Sequence, residues 1–212
     1  MALPDSSRYT YIGFTGEHCI ISDMSIDRAN DKVDASYIPR IAERISFINV
    51  PEGDIPNVQV DRYRSSTSKS IPAEDGMTIT FHTMSLPTAR LVWHCPFCVI
   101  FSSDDGTVTG SNYVEYALVR LDGETWESGD SADNELIVTR DGFEGWDNWR
   151  RLNREGFDVA ISFERDGNRI VSFTENAGIS IKNVTTVKDA EIYVALTGDQ
   201  CAITNIRISR SK

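Results

Sequence analysis

"RLVWHCPFCVIFSS", residues 90–103, is the stretch on which the fold turns. Its Cys-x-x-Cys is either a dithiol redox centre or a β-strand that carries two thiols. A redox dithiol needs a strand, then a turn, then a helix whose N-terminus lowers the pKa of the first thiol. Here Cys95 and Cys98 run into "VIFSSDDG", which is β-branched and aromatic and then turn-forming, so it continues a strand into a loop. Along a strand, residues three apart point to opposite faces and lie ~10 Å apart. A disulfide needs Cα atoms within ~7 Å, so these two bridge only across a sharp kink at Pro96. Zinc needs a second pair of ligands, and no other Cys-x-x-Cys and no His-x-x-x-His supplies one. The stretch reads as a long central strand bent at Pro96.

Outward from it, period-two alternation recurs. It predicts strands over 77–85, 113–121, 134–140, 157–165, 168–175, 178–184, 190–198 and 201–209. Asp122-Gly123 and Asp166-Gly167 read as two-residue hairpin turns, the first placing Trp126 opposite Val119. "GWDNWRRLNREG" (145–156) predicts a helix, with Trp146, Trp149 and Leu152 on one side and Gly156 as its stop. A second short helix is expected within 36–49, after Pro39. Many short strands and few helices predict an all-β, two-sheet antiparallel β-sandwich (jelly roll) with one or two short helices.

"YIGFTGEHCIISDMSI" (11–26) aligns without gaps on "YVALTGDQCAITNIRI" (193–208). The segment 1–27 therefore reads as an N-terminal hairpin echoing a C-terminal one, with the sandwich over 28–212. Either a preceding module contributes the first hairpin, or both belong to one sandwich. Cys19 and Cys201 occupy equivalent places and are expected to be buried rather than bridged.

With 32 acidic against 21 basic residues and a net charge of -11, the surface repels phosphate backbones and anionic membranes. No nucleic-acid or membrane partner is expected. No apolar run reaches the ~18–20 residues of a membrane span, and the first residues do not read as a signal peptide.

Polar residues on strands that otherwise read as core mark the candidate site. Arg90 and His94 share one strand face, and Tyr116 and Arg120 share another with Val114 and Leu118. With His82 on a neighbouring strand these side chains could line a shallow groove, or simply form a solvated sheet face. Sugar rings stack on indole while Arg and His hydrogen-bond the hydroxyls, so Trp126 or Trp93 is the expected platform. Trp146 and Trp149 are expected in the packing, as is Trp93 by its apolar neighbours. Catalytic constellations are sparse: Glu115, Glu124 and Glu127 lie near one hairpin, but no carboxylate pair of glycosidase type is evident. Asp104, Asp105 and Asp122 offer oxygens to Ca²⁺, or only a turn.

"YVEYALVRLDGETW" (113–126), "WRRLNREGFDVAISFERDGNRIVSFTE" (149–175) and "IYVALTGDQCAITNIRI" (192–208) resemble concanavalin-like or jelly-roll sandwiches used as carbohydrate-binding modules in bacterial polysaccharide-degrading enzymes. The resemblance covers residues 77–209 and contains no diagnostic motif. It implies a non-catalytic, extracellular module within a larger multimodular chain. The implied ligand is a plant-type polysaccharide or oligosaccharide such as a β-glucan, with structural calcium possible. A sandwich-fold glycoside hydrolase or lyase, and a ligand-sensing or protein-interaction domain, remain alternatives.

Overall fold

The computed structural model describes residues 46–126, 131–188 and 191–211, all within one unit that begins at Ser46. The 1–27 hairpin, Cys19, Glu127 and most of the expected helix in 36–49 lie outside the described residues.

Two antiparallel sheets make up the fold. Its strands in chain order are β1 (Val58–Val60), β2 (Ile71–Pro72), β3 (Met77–Ser85), β4 (Pro96–Ser102), β5 (Val114–Arg120) and β6 (Thr125–Trp126). They continue with β7 (Asp133–Thr139), β8 (Phe157–Asp166), β9 (Arg169–Asn176), β10 (Ile179–Thr186), β11 (Tyr193–Gly198) and β12 (Cys201–Arg210). One sheet has the order β1-β12-β3-β8-β9-β10-β7 and the other β2-β11-β4-β5-β6. The chain is thus the predicted two-sheet sandwich with a single helix among the described residues, α1 (Trp146–Glu155).

The alternation in β3 explains its place. Met77, Ile79 and Phe81 are buried, while the residues between them are half-buried or exposed, as befits a sheet with one dry face. β4 behaves differently, because Pro96 through Phe101 are all buried. Phe97 and Phe101 are covered by other rings: Tyr63 lies against Phe97, and Tyr113 and the first residue of β11, Tyr193, lie against Phe101. Gly106 sits so close to the Tyr193 ring that a Cβ there would come within 2.7 Å of it. The residues 61–70 run along the edge of β11, where Ser68 N–H donates to the Leu196 carbonyl at 2.8 Å and Thr197 Oγ1 to the Ser66 carbonyl at 2.7 Å.

Several expectations shift. The strand does not run from residue 90 through a bend: it starts at Pro96, and Arg90–Cys95 form a loop. Proline has no N–H to give to a ladder, so the first strand position suits it. The two-residue turn after β8 is Gly167-Asn168, since Asp166 pairs with Arg169, and Gly167 has φ 58° as the first position of a II′-type turn requires. After β5 the turn spans Leu121–Glu124, which places Trp126 opposite Leu118 rather than Val119. The expected C-terminal hairpin is not one, because β11 lies in the five-stranded sheet and β12 in the seven-stranded sheet. At that crossing Gly198 leaves no room for a side chain: a Cβ would stand 2.5 Å from Cys201 Sγ and 2.7 Å from the Cys95 carbonyl oxygen.

The three described cysteines are unbridged and buried. Burial pushes the Cys98 thiol up to about 12 and raises Cys95 and Cys201 as well, the opposite of what a nucleophilic thiol needs.

Candidate functional site

Four connections converge at one end of the five-stranded sheet, where β4 begins and β5 and β11 end. They are the loop before β4, the turn after β5, the turn between β11 and β12, and the turn around Tyr63. Together they enclose a cleft of ≈ 520 Å³ lined by Tyr63, Trp93, Phe97, Arg120, Glu124 and Asp199. Its volume is within the range typical of small-molecule sites, and loops held by a rigid sheet are where binding groups collect.

Phe97 and Arg120 are directly opposed in the β4–β5 ladder, so their side chains share a face. The guanidinium lies over the Phe97 ring at 5.2 Å, and the residue is only 5% exposed. One of its terminal nitrogens donates to Asp122 Oδ2 at 2.5 Å and lies 3.2 Å from Glu124 Oε2. Its Nε has no hydrogen-bond partner among the described residues. Asp122 is fully buried and its other oxygen accepts the Glu124 N–H at 3.1 Å, which shapes the turn after β5. Burial raises the Asp122 pKa, and the charge of Arg120 pulls in the other direction. Arg120 is therefore a structural cation first, and a binding group only through what remains of its donors.

Trp93 and Tyr63 are 40% and 49% exposed, high for such large rings, and they wall the cleft. Trp93 is held by its loop. His94 N–H donates to the Leu91 carbonyl, and Cys95 N–H donates to the Trp93 carbonyl. The Arg90 and Leu91 N–H groups both donate to His94 Nδ1, at 3.0 and 3.4 Å. A ring that accepts at Nδ1 carries its proton on Nε2 and is neutral. That N–H faces Asp199 Oδ2 at 3.7 Å and the Gln200 carboxamide at 3.4 Å. Gln200 Oε1 has no partner among the described residues, and turning the carboxamide so that this oxygen meets Nε2–H satisfies both groups. Burial lowers the His94 pKa, with the Asp199 charge opposing, and burial raises that of Asp199. Behind the same loop, Trp149 of α1 is buried and its indole N–H donates to the Val92 carbonyl at 2.9 Å.

Of the residues expected from the sequence, Trp93, Arg120 and Glu124 meet in this cleft, and His94 supports it from behind through Asp199. Arg90 instead lines a small cavity on the other side of the loop, with Trp149, Arg150 and Arg154. His82 faces Asp158 on the seven-stranded sheet, 2.9 Å from it. Tyr116 is buried beside a bulge in the β4–β5 register, its hydroxyl 2.8 Å from Ser102 Oγ. Trp126 is described by its backbone only, and its side chain lies outside the described residues.

The carboxylate candidates separate in the same way. Glu115 is held by Arg64, at 2.5 and 3.2 Å, and by the Tyr113 hydroxyl at 2.7 Å, away from the cleft. Asp104 accepts from Asn112 and Asp105 from Thr107, so both organise their own loop, while Asp122 serves Arg120. Among the described residues no three His, Cys, Asp or Glu side chains gather to hold a metal ion. Nothing in the sequence singles out Tyr63, Phe97 or Asp199 as site residues. Tyr63 stands in an aperiodic stretch, Phe97 reads as core, and Asp199 reads as a turn residue.

No protein-family model matches the chain. No curated protein matches its sequence. Among solved structures, a double mutant of congerin II is similar at 16% identity over 74% of this chain and 100% of its own, with a TM-score of 0.33. The exoplasmic/lumenal domain of VIP36 in a Ca²⁺- and Man-bound form is similar at 15% identity over 74% of this chain and 78% of its own, with a TM-score of 0.35. A sialidase is similar at 11% identity over 76% of this chain and 16% of its own, with a TM-score of 0.28.

Proposed function

We propose that this protein is a non-catalytic carbohydrate-binding domain and that its sugar lies in the cleft between Trp93 and Tyr63. One observation carries the reading: two half-exposed aromatic rings wall a cleft that Phe97 lines together with three charged residues, Arg120, Glu124 and Asp199. Pyranose rings offer flat C–H faces to indole and phenol rings and hydroxyls to carboxylates and guanidinium, which is the combination present here. The ligand class is a polysaccharide or oligosaccharide met outside the cell, a plant β-glucan being the neutral reference among them. The sequence also offers Tyr116, Arg90 and His82 for a sheet-face groove, and this reading sets the sugar at the end of the sheet instead.

Calorimetry against a panel of soluble oligosaccharides tests the proposal. Trp93→Ala and Tyr63→Ala should each weaken binding by ~1–3 kcal/mol, the usual loss for an aromatic anchor, with little change in melting temperature because both rings are half-exposed. Full affinity in the double variant would remove the cleft from consideration. Release of reducing sugar from any member of the panel would favour the hydrolase alternative.

A further inference from the structure

The charge balance of the cleft narrows the ligand further. Among the described residues Arg120 is the sole cation lining it, while Glu124 and Asp199 line it and Asp122 lies beneath. Asp122, at 2.5 Å from the guanidinium, already neutralises Arg120. His94 adds no compensating charge, because its Nδ1 accepts two backbone N–H groups. The same guanidinium also meets Glu124 at 3.2 Å, so one cation serves two carboxylates, and with Asp199 the cleft keeps an excess of negative charge beside Trp93 and Tyr63. The net charge of -11 on the chain adds to the same field.

A uronate or sulfated sugar brought into this cleft meets carboxylates, with its only attractive partner already paired. A neutral hexose is tolerated but leaves Glu124 and Asp199 facing hydroxyls alone. An ammonium group is favoured by both features at once: charge-assisted hydrogen bonds to carboxylates and attraction to the faces of aromatic rings. We propose that the cleft selects an amine-bearing sugar, a hexosamine unit with a free ammonium group, over neutral and acidic sugars. This rests on the carbohydrate-binding reading.

The test is calorimetry on the full chain with four ligands of equal length: β-1,4-linked oligomers of glucosamine, N-acetylglucosamine and glucose, and an oligouronate. Tetramethylammonium is titrated as a cation without a sugar. The glucosamine oligomer should bind roughly tenfold more tightly than the glucose oligomer at low salt, as expected for a partly exposed ion pair reinforced by aromatic faces. The ratio should shrink as salt is raised, and in Glu124→Gln at low salt. Equal affinities for the glucosamine and glucose oligomers, or tightest binding of the oligouronate, would overturn the selectivity and leave the sugar reading standing. Binding of none of the four sugars would overturn the sugar reading. Binding of tetramethylammonium alone would overturn both and assign the cleft to a cationic partner of another kind.

Discussion

Arg120 shows how one residue can look like a ligand-binding group and act as a cornerstone. Its guanidinium holds the fully buried Asp122 at 2.5 Å and stacks on Phe97, while Asp122 in turn fixes the Glu124 N–H. Arg120→Ala, a natural choice for probing binding, would confound affinity with folding. Arg120→Met should lower stability by ~3–5 kcal/mol, because it leaves a buried carboxylate without its cation. Adding Asp122→Leu to Arg120→Met should recover much of that loss, since an apolar pair of similar volume is often as stable as a buried ion pair. Urea denaturation of the two variants measures this. A double variant no more stable than Arg120→Met would show that the pair has a role beyond charge compensation. From the sequence, Arg120 is visible as a polar residue on a core-like strand. That Asp122 is buried beside it depends on how the following turn folds back.

At the scale of elements, the turns decide more than the strands. β9 and β10 are joined through Ala177 and Gly178, both with positive φ, at 48° and 77°. This is the I′-type geometry that matches the twist of a hairpin. Gly178 also lies under the backbone of Gly142, where a Cβ would stand 2.1 Å from its carbonyl carbon and oxygen. The turn thereby braces the loop that leads into α1. Gly178→Ala should cost at least ~2 kcal/mol, combining the left-handed conformation with a backbone clash. Ala177→Gly relieves a strained residue at a modest entropic cost and should stay within ~1 kcal/mol of the parent. Thermal melts of the two variants separate the cases, and equal melting temperatures would show that the loop yields easily. The loop before β4 follows the same logic. Its composition suggests strand, but the bonds from the Arg90 and Leu91 N–H groups to His94 Nδ1 close it into a turn that presents Trp93.

For the whole molecule, the groups behind the cleft couple stability to pH. Burial lowers the His94 pKa, so in the unfolded chain this histidine takes up its proton at higher pH than in the fold. Between the unfolded value of ~6.5 and the lower folded one, the unfolded state binds more protons, and stability falls as pH falls. Asp122 and Asp199 have raised values through burial, so the folded state binds more protons there and the sign reverses, in a window reaching down to the ordinary carboxylate value of ~4. The net expectation is a loss of stability on acidification below pH ~6.5 that slows or turns as the carboxylates protonate. His94→Asn keeps an acceptor near the two loop N–H groups and removes the titration, so its urea midpoint should vary less with pH in the upper window. The same pH slope in this variant and the parent would assign the effect to other groups.

The sequence by itself determined the class of this fold. Period-two alternation in 77–85 and in 157–175, broken by turn residues, leaves two sheets with dry inner faces as the only way to bury the apolar set. It also determined α1, because Trp146, Trp149 and Leu152 share a helical side and glycines flank it. What the tertiary structure alone decided is the site. Tyr63, Trp93, Glu124 and Asp199 come from four separate connections, and they meet because β4 begins where β5 and β11 end. Local periodicity reports which face of an element is buried. It says nothing about which loops arrive at the same end of a sheet, because that depends on strand order, and strand order is set by long-range pairing.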